Sequence, residues 1–366
     1  MVKLSKLQSA STPFGEWVLG RLTQQGKNGE HLLAAMKGEA KARRVLHEYG
    51  VKSMPNSSTT TQLLDLLGVP LDELNARLLG REPESASAAP AIDATAARLA
   101  AWLPRILPLF EGHVRVLTVL GDHLPRIAKW DAELDPEVSR LADELRPKLR
   151  LNQAMLLVSR SVDWSSRPLT LPGLEVDFAY VQALRKLGQR PPVLSASGVV
   201  TVAQTPGLAL HLRAPLSATY KECFHTLGGA LHPDDASLER VGADRTLHDT
   251  LERELVEEAR IRVDPEGAFA VLLEEERTGF IQYLALDLTT ARLPPEHNAE
   301  GIAQLVTFDR LLEALLERKW VPTGRLSVLL WLAAGAPGAG PRAFAGLGAD
   351  DVLQRVLATP LVHADP

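Results

Sequence analysis

The chain has 366 residues, a formal net charge of −5 and a single cysteine, and 45% of its residues are hydrophobic but only 5% aromatic. This composition predicts a folded, soluble protein of two or three domains, while the lone Cys223 excludes an intramolecular disulfide framework and favours a reducing cytoplasm. The N-terminus lacks the apolar core of a signal peptide. The run LSVLLWLAAGA, residues 326–336, is too short to span a bilayer, so it predicts a buried helix and no membrane partner.

The first 80 residues show short helical patterns separated by the polar segments QQGKNGE and KSMPNSSTTT. Within them LLDLLGVPLDEL, residues 63–74, resembles the closing helices of lambda-repressor-like helix-turn-helix domains. The segment FGEWVLGRL, residues 14–22, is similar to the first helix of the same domains. The resemblance implies that region 1–80 is a helical domain that binds duplex DNA.

Charge is unevenly distributed along the chain. Residues 1–60 contain nine Lys and Arg residues but only four acidic residues, a net charge of +5 in a chain whose total is −5. Contact with a phosphate backbone requires such an excess, and the candidate DNA contacts are Lys37, Lys41, Arg43 and Arg44. The alternative is a helical protein-interaction module with a solvated basic face.

The next two regions differ in composition. Residues 81–94 are rich in Pro, Ser and Ala without an apolar period, which predicts an exposed linker and the first site of proteolysis. Residues 95–165 carry helical patterns and form a predicted helical accessory region, in which Asp135 is an N-cap and Pro136 the first helical residue. Its apolar faces need each other, the C-terminal half or a second copy of the chain in a homodimer. Their central residues are Trp102, Leu109, Leu117, Leu141 and Leu156.

The C-terminal half changes to strand-like runs, among them SASGVVTVAQ, GLALHLRA and AQLVTFDRL. One strong helix, residues 246–259, lies between them, and another follows at FDRLLEALLER. Strands around a central helix predict an α/β domain over residues 190–335, followed by a C-terminal extension over 336–366.

The central helix contains the sequence TLERELVEEARI, which places Glu254, Glu257 and Glu258 on one face. Carboxylates three and four residues apart repel one another unless positive charge lies between them. A divalent cation such as Mg²⁺ prefers such hard oxygen ligands and is often shared with substrate phosphates. Arg253 can hold Glu257, and the Gly228–Gly229 pair lets the backbone approach a ligand closely. The alternative is a charged helix face that points into solvent.

These residues resemble the signature of the Nudix hydrolase family, since Arg253, Glu254, Leu255, Glu257, Glu258 and Ile261 match its second half. The resemblance extends from SASGVV to EGIAQLVTFDRLLEAL and implies an α/β/α sandwich with a mixed sheet. It further implies a metal-dependent pyrophosphohydrolase that uses Mg²⁺ or Mn²⁺ and a nucleotide-like diphosphate substrate. The implied metal site consists of Glu254, Glu257, Glu258 and Gly229.

The first half of the signature is not matched, because its glycine and first glutamate fall at Glu239 and Arg245. Arg260 also replaces the glycine that follows the two glutamates. The chain is more similar to a subgroup of the family in which a Gly-Gly loop precedes a long insertion.

The implied catalytic residues are Arg253, Glu254 and Glu258, and Glu300 is a candidate general base by its position before a strand. Two functional hypotheses remain open. The first is a Nudix hydrolase with a helical accessory region. The second is a transcription regulator in which helix-turn-helix-like helices bind DNA and a Nudix domain senses a nucleotide ligand.

Overall fold

A computed structural model of the chain contains two compact units, Met1–Ala89 and Pro90–Pro366. It describes residues 10, 12–24, 27–37, 39–49, 59, 62–63, 66–67, 74, 88–149, 152–215, 217, 219–233, 246–293, 296–297 and 300–364. In those ranges no helix is both long enough and apolar enough to cross a membrane.

The first unit is helical, as the sequence predicts. Its helices are α1 (Pro13–Gln24), α2 (Gly29–Ala35) and α3 (Glu39–His47). Helices α1 and α3 approach closely, because a Cβ on Gly15 would lie 2.3 Å from the carbonyl oxygen of Leu46. Most of the segment LLDLLGVPLDEL lies outside the described residues, so the helix-turn-helix resemblance stays a prediction.

The remaining elements form the second unit, and its first helix begins at the border between the units. The helices are α4 (Ala88–Ile106), α5 (Pro136–Leu145), α6 (Phe178–Lys186), α7 (Thr246–Ala259), α8 (Leu311–Glu317), α9 (Pro322–Ala333) and α10 (Ala349–Leu357). The strands are β1 (Val114–Gly121), β2 (Arg126–Lys129), β3 (Ala154–Val158), β4 (Thr170–Asp177), β5 (Leu194–Val202), β6 (Gly207–Arg213), β7 (Phe224–His225), β8 (Leu227–Ala230), β9 (Ala270–Glu275), β10 (Ile281–Thr290), β11 (Glu296–His297) and β12 (Gly301–Thr307).

A mixed sheet organises this unit. Nine strands of the described chain form it in the order β1-β9-β10-β5-β6-β12-β11, while β7 pairs with β6 and β8 pairs with β5. Strands β5 and β10 run parallel, and the other neighbours are antiparallel. Every residue of β5 is buried, because the strand has neighbours on both sides and helices above and below.

Helices cover both faces of the sheet. Along β9, Val271 and Leu273 belong to a core shared with α4, α8, α9 and α10, whereas Ala270 and Leu272 belong to the core that contains α7. Helix α9 is buried at every residue, which confirms the buried helix predicted from its apolar run. The α/β/α arrangement with a mixed sheet therefore agrees with the predicted fold class.

A smaller sheet, of order β2-β4-β3, carries α5 and α6. The side chain of Asp135 accepts hydrogen bonds from the backbone of Glu137 (2.8 Å) and Val138 (3.4 Å), and Pro136 begins α5. The predicted cap is confirmed. Asp177 caps α6 in the same way through the Tyr180 N–H, at 2.9 Å.

The prediction of an all-helical region over 95–165 is wrong, because β1, β2 and β3 lie within it. The run VRVLTVLG is rich in β-branched residues, and short apolar runs of this kind fit either a strand or a helix until a partner is known. Here β1 pairs with β9 at the edge of the main sheet. The linker prediction over residues 81–94 is also wrong in part, because α4 begins at Ala88. In the predicted C-terminal extension, Val352 and Val356 are core residues.

A fragment that begins at Ala88 is expected to fold, whereas one limited to residues 190–366 is expected to aggregate or unfold at much lower temperature. The shorter fragment loses β1, which pairs with β9, and α4, whose Leu99 and Ile106 are fully buried. Size-exclusion chromatography and thermal unfolding of both fragments test this. A stable monomer of residues 190–366 would contradict it.

Candidate active site

Helix α7 forms from an apolar stripe at four-residue spacing, in which Leu247, Leu251, Leu255 and Ala259 are at most 1% exposed. The adjoining face carries the glutamates. Burial of the stripe therefore brings the carboxylates of Glu254 and Glu258 against the edge of the sheet, where both are less than a tenth exposed. They do not lie on a solvated face.

These carboxylates contact the two glycines of strand β8. Gly228 has a φ of 146°, and a Cβ there would lie 2.2 Å from the carbonyl oxygen of Ala196 on β5. A Cβ on Gly229 would lie 2.3 Å from Oε1 of Glu254. The pair therefore allows close backbone contact with the neighbouring strand and with α7, whereas the predicted approach to a ligand stays a prediction.

Glu258 is held by two donors. Its Oε2 accepts a hydrogen bond from the Gly228 N–H at 2.8 Å, and its Oε1 lies 2.9 Å from Nδ1 of His211. His211 is a residue of β6 that is only 2% exposed. Sequence reasoning missed it; the available signal was a single imidazole in the otherwise apolar run GLALHL.

Arg253 lies between the other two glutamates. Its Nη1 is 2.9 Å from Oε1 of Glu254 and 2.9 Å from Oε2 of Glu257, and its Nη2 donates to the Ala230 carbonyl at 3.1 Å. The predicted contact between Arg253 and Glu257 is thus confirmed. Because Glu257 remains 59% exposed at its side chain, this pair is open to solvent while Glu254 is enclosed.

The environment of Glu254 disfavours its charged form. Burial raises the pKa of this carboxyl to about 8, the Arg253 guanidinium opposes the shift, and the nearby carboxylates of Glu258 and Glu257 add to it. Below about pH 8 this carboxyl therefore keeps its proton in the metal-free protein. An additional positive charge beside this carboxyl would stabilise its charged form.

Glu300, the candidate general base, lies next to Gly301 rather than on α7. Glu300 is exposed at the start of β12, and the neighbouring Gly301 packs so closely on His211 that a Cβ would lie 2.5 Å from Nε2. No group of three or more His, Cys, Asp or Glu residues within the described ranges is arranged to hold a metal ion. Both oxygens of Glu258 are instead engaged by His211 and the Gly228 N–H.

The candidate DNA contacts belong to the N-terminal unit. Lys41, Arg43 and Arg44 are exposed on α3, and Lys37 is exposed just before it. Arg44 lies 4.0 Å from Glu48, an exposed pair that contributes little to stability. These positions are compatible with either a DNA-binding or a protein-binding face, and DNA binding stays a prediction.

Arg260, the residue that follows helix α7, has a left-handed backbone with a φ of 52°. Its N–H donates to Val256 at 3.0 Å, and the Ile261 N–H donates to Leu255 at 3.2 Å, so the chain turns sharply after the glutamates. We expect Arg260→Gly to be more stable than Arg260→Ala by about 1 kcal/mol, because only glycine avoids the left-handed penalty. Urea unfolding of the two variants measures the difference, and equal stabilities would contradict it.

The raised pKa of Glu254 predicts a pH dependence in metal-free protein. Below about pH 4.5 the carboxyl is protonated in both the folded and unfolded states. Between about pH 4.5 and 8 the unfolded chain releases this proton while the folded chain keeps it, so the free energy of unfolding falls as pH rises. The loss is on the order of a few kcal/mol and is complete above the folded pKa.

Urea unfolding in the presence of a chelator, from pH 4.5 to 9, measures this loss. Glu254→Gln is expected to remove it, and Glu257→Gln, a change at an exposed neighbour, is expected to keep it. Identical pH profiles for the wild-type chain and Glu254→Gln would contradict the buried environment of this carboxyl.

No family model and no curated protein matches the chain. Among solved structures, a MutT protein from Methanosarcina mazei Go1 is 18% identical, with a TM-score of 0.28, over 39% of this chain and 94% of that one. Two structures of a bifunctional NMN adenylyltransferase/ADP ribose pyrophosphatase from Francisella tularensis are 15% identical, with TM-scores of 0.31 and 0.32, one of them a complex with AMP and a Mn ion. Each aligns with 43% of this chain, and the aligned part of this chain spans less than half of the length of each of those proteins. At these values the similarity assigns no activity to the chain.

Proposed function

We propose that the contact between α7 and β8 is a cation-dependent hydrolytic centre of the Nudix type, which cleaves a diphosphate linkage in a nucleotide-like substrate. The observation that carries the proposal is the enclosure of two carboxylates, Glu254 and Glu258, against the backbone of Gly228 and Gly229. A solvated helix face would leave both carboxylates exposed.

The chemistry of the donors, rather than their arrangement in the metal-free protein, suits a divalent cation. Carboxylate oxygens are the ligands that Mg²⁺ and Mn²⁺ prefer, and the absence of a Cβ at Gly229 lets the Glu254 carboxyl lie against the backbone. Glu254, Glu257 and Glu258, with the backbone of Gly229, would hold the ion. When bound, it supplies charge neutralisation for a diphosphate and Lewis acidity at phosphorus.

Contacts within the chain hold the glutamate side chains in position. Arg253 holds Glu254 and Glu257 in place and is itself fixed on the Ala230 carbonyl. Glu258 is fixed by His211 and the Gly228 N–H. These contacts remove rotamer freedom from the carboxylates before substrate binds.

A proton must leave the attacking water, and Glu254 is one candidate acceptor, because its carboxyl lies at the contact between α7 and β8. Glu300 is the other candidate acceptor, since it immediately precedes Gly301, the first residue of β12, which packs on His211. Hydrolysis breaks one phosphorus–oxygen bond of the diphosphate, and water supplies the oxygen of the new phosphate group.

A panel of nucleoside diphosphate derivatives, including ADP-ribose, incubated with Mg²⁺ or Mn²⁺ tests the proposal. We expect at least one compound to yield phosphomonoester products, and both Glu254→Gln and Glu258→Gln to prevent their formation. Tight binding of a compound without cleavage in any metal would support the alternative of a nucleotide sensor. Cleavage that survives both substitutions would place the reaction elsewhere.

A further inference from the structure

A cavity lies on the face of the sheet opposite α7. Its volume is about 760 Å³, and it is lined by the turn after β6, the end of α8, the start of α9 and the C-terminal segment. Helices α8 and α9 belong to the core on one face of the sheet, whereas α7 belongs to the core on the other. The proposed hydrolytic centre does not use this cavity.

Arg325 is the most deeply buried charged residue in the wall of this cavity, at 2% exposure. Its Nη1 donates to the Val362 carbonyl at 3.0 Å and its Nη2 to the Arg318 carbonyl at 2.9 Å. Its Nε is buried without a hydrogen-bond partner. Within the described part of the chain, no carboxylate lies at ion-pair distance from it.

A guanidinium that is buried without a counter-charge reduces the stability of the fold, because a buried charge loses its hydration and is normally paired with an opposite charge. Burial lowers the pKa of Arg325 to about 10, which leaves it charged at neutral pH. A planar guanidinium with an unused N–H is suited to bind the oxygens of a phosphate or carboxylate.

The rim of the cavity adds positive charge. Lys221, Arg318 and Lys319 are exposed around it, against a single acidic residue, Glu317. His363 also lines the cavity; it lies 2.6 Å from the Leu109 carbonyl through Nε2, and its Nδ1 is buried without a partner. Because His363 donates through Nε2, its Nδ1 is an acceptor, and Arg325 Nε is the buried donor left without a partner here. The positive charges of the rim attract anions.

We propose that this cavity binds a small molecule carrying a phosphate group, with Arg325 as its main anchor and Lys319 and Lys221 as rim contacts. The apolar side chains of Leu316 and Val362 line the rest of the cavity and would contact the remainder of the ligand. A volume of this size is typical of pockets for small organic ligands. The ligand is an anion separate from the substrate that we assign to α7.

Isothermal titration of the full chain with inorganic phosphate, without divalent cations, tests the site. We expect saturable binding that Lys319→Gln weakens about threefold and Arg325→Gln weakens roughly tenfold or more. Lys148→Gln, which removes an exposed charge elsewhere, is the matched control and is expected to leave the affinity unchanged. Succinate in place of phosphate tests carboxylates as the ligand class.

Binding that is equal in Lys319→Gln, Lys221→Gln and Lys148→Gln would overturn the proposal, as would no binding by the wild-type chain or binding of succinate alone. These rim variants keep the test valid if Arg325→Gln does not fold. Binding lost in Glu254→Gln but kept in Lys319→Gln and Arg325→Gln would place the anion at α7 and also overturn it. Phosphate affinity that depends on the rim and is kept in Glu254→Gln supports it.

Discussion

Replacing Glu258 by glutamine is expected to reduce the rate of diphosphate hydrolysis by roughly 100-fold or more, because a fixed carboxylate at the centre is lost. The variant is also expected to be less stable than the wild-type chain, by about 2 kcal/mol. Relief of repulsion between neighbouring glutamates would act in the opposite direction, but it contributes only a few tenths of a kcal/mol. Because the contacts of Glu258 with His211 and with the Gly228 N–H outweigh this relief, the net change in stability is expected to be a loss.

Steady-state kinetics and urea unfolding measure the two effects. Glu257→Gln is the matched comparison, since Glu257 is exposed: it is expected to change stability by less than about 0.5 kcal/mol while still lowering the rate. His211→Ala provides a second readout, because it leaves Glu258 in place but removes its buried donor. Full activity in Glu258→Gln would contradict the assignment of this carboxylate.

Replacing Gly228 by alanine is expected to cost at least about 3 kcal/mol of stability or to prevent folding. Its φ of 146° is unfavourable for any side chain, and the added Cβ would lie 2.2 Å from a backbone oxygen of β5 that cannot move aside. Gly229→Ala is different, because its Cβ would meet the side-chain carboxyl of Glu254. That variant is expected to fold and to lose activity.

Thermal unfolding of the two variants, with Gly340→Ala as control, separates the effects. A Cβ on Gly340 meets nothing within 4 Å, so this control is expected to behave as the wild-type chain does. A Gly228→Ala protein with wild-type stability would contradict the packing of β8 on β5. A fully active Gly229→Ala protein would contradict the role of the Glu254 carboxyl.

The local features of the C-terminal half could be predicted from the sequence. The bounds of α7, the cap at Asp135 and the buried helix α9 follow from apolar spacing and capping chemistry, which act over a few residues. Two adjacent glycines after a strand also indicate a close backbone approach, although the partners that the structure shows, Ala196 and Glu254, were not predicted.

The features that depend on distant partners could not be predicted. The strand β1 is stabilised by pairing with β9, and its own residues fit a helix as well. His211 becomes a site residue only because β6 brings it beside α7, and nothing near it in the sequence indicates Glu258 as its partner. Arg325 lies in a helix whose apolar residues predict burial, but its missing counter-charge is visible only in three dimensions.

The most direct test of the central claim is a titration of Mn²⁺ followed by electron paramagnetic resonance, because it requires no knowledge of the substrate. The wild-type chain is expected to remove the signal of aqueous Mn²⁺ in a saturable manner, and so is Glu144→Gln, which alters an exposed glutamate on α5. Glu254→Gln and Glu258→Gln are expected to lose this binding. Equal binding by all four proteins, or no binding by the wild-type chain, would contradict a cation site at the contact between α7 and β8.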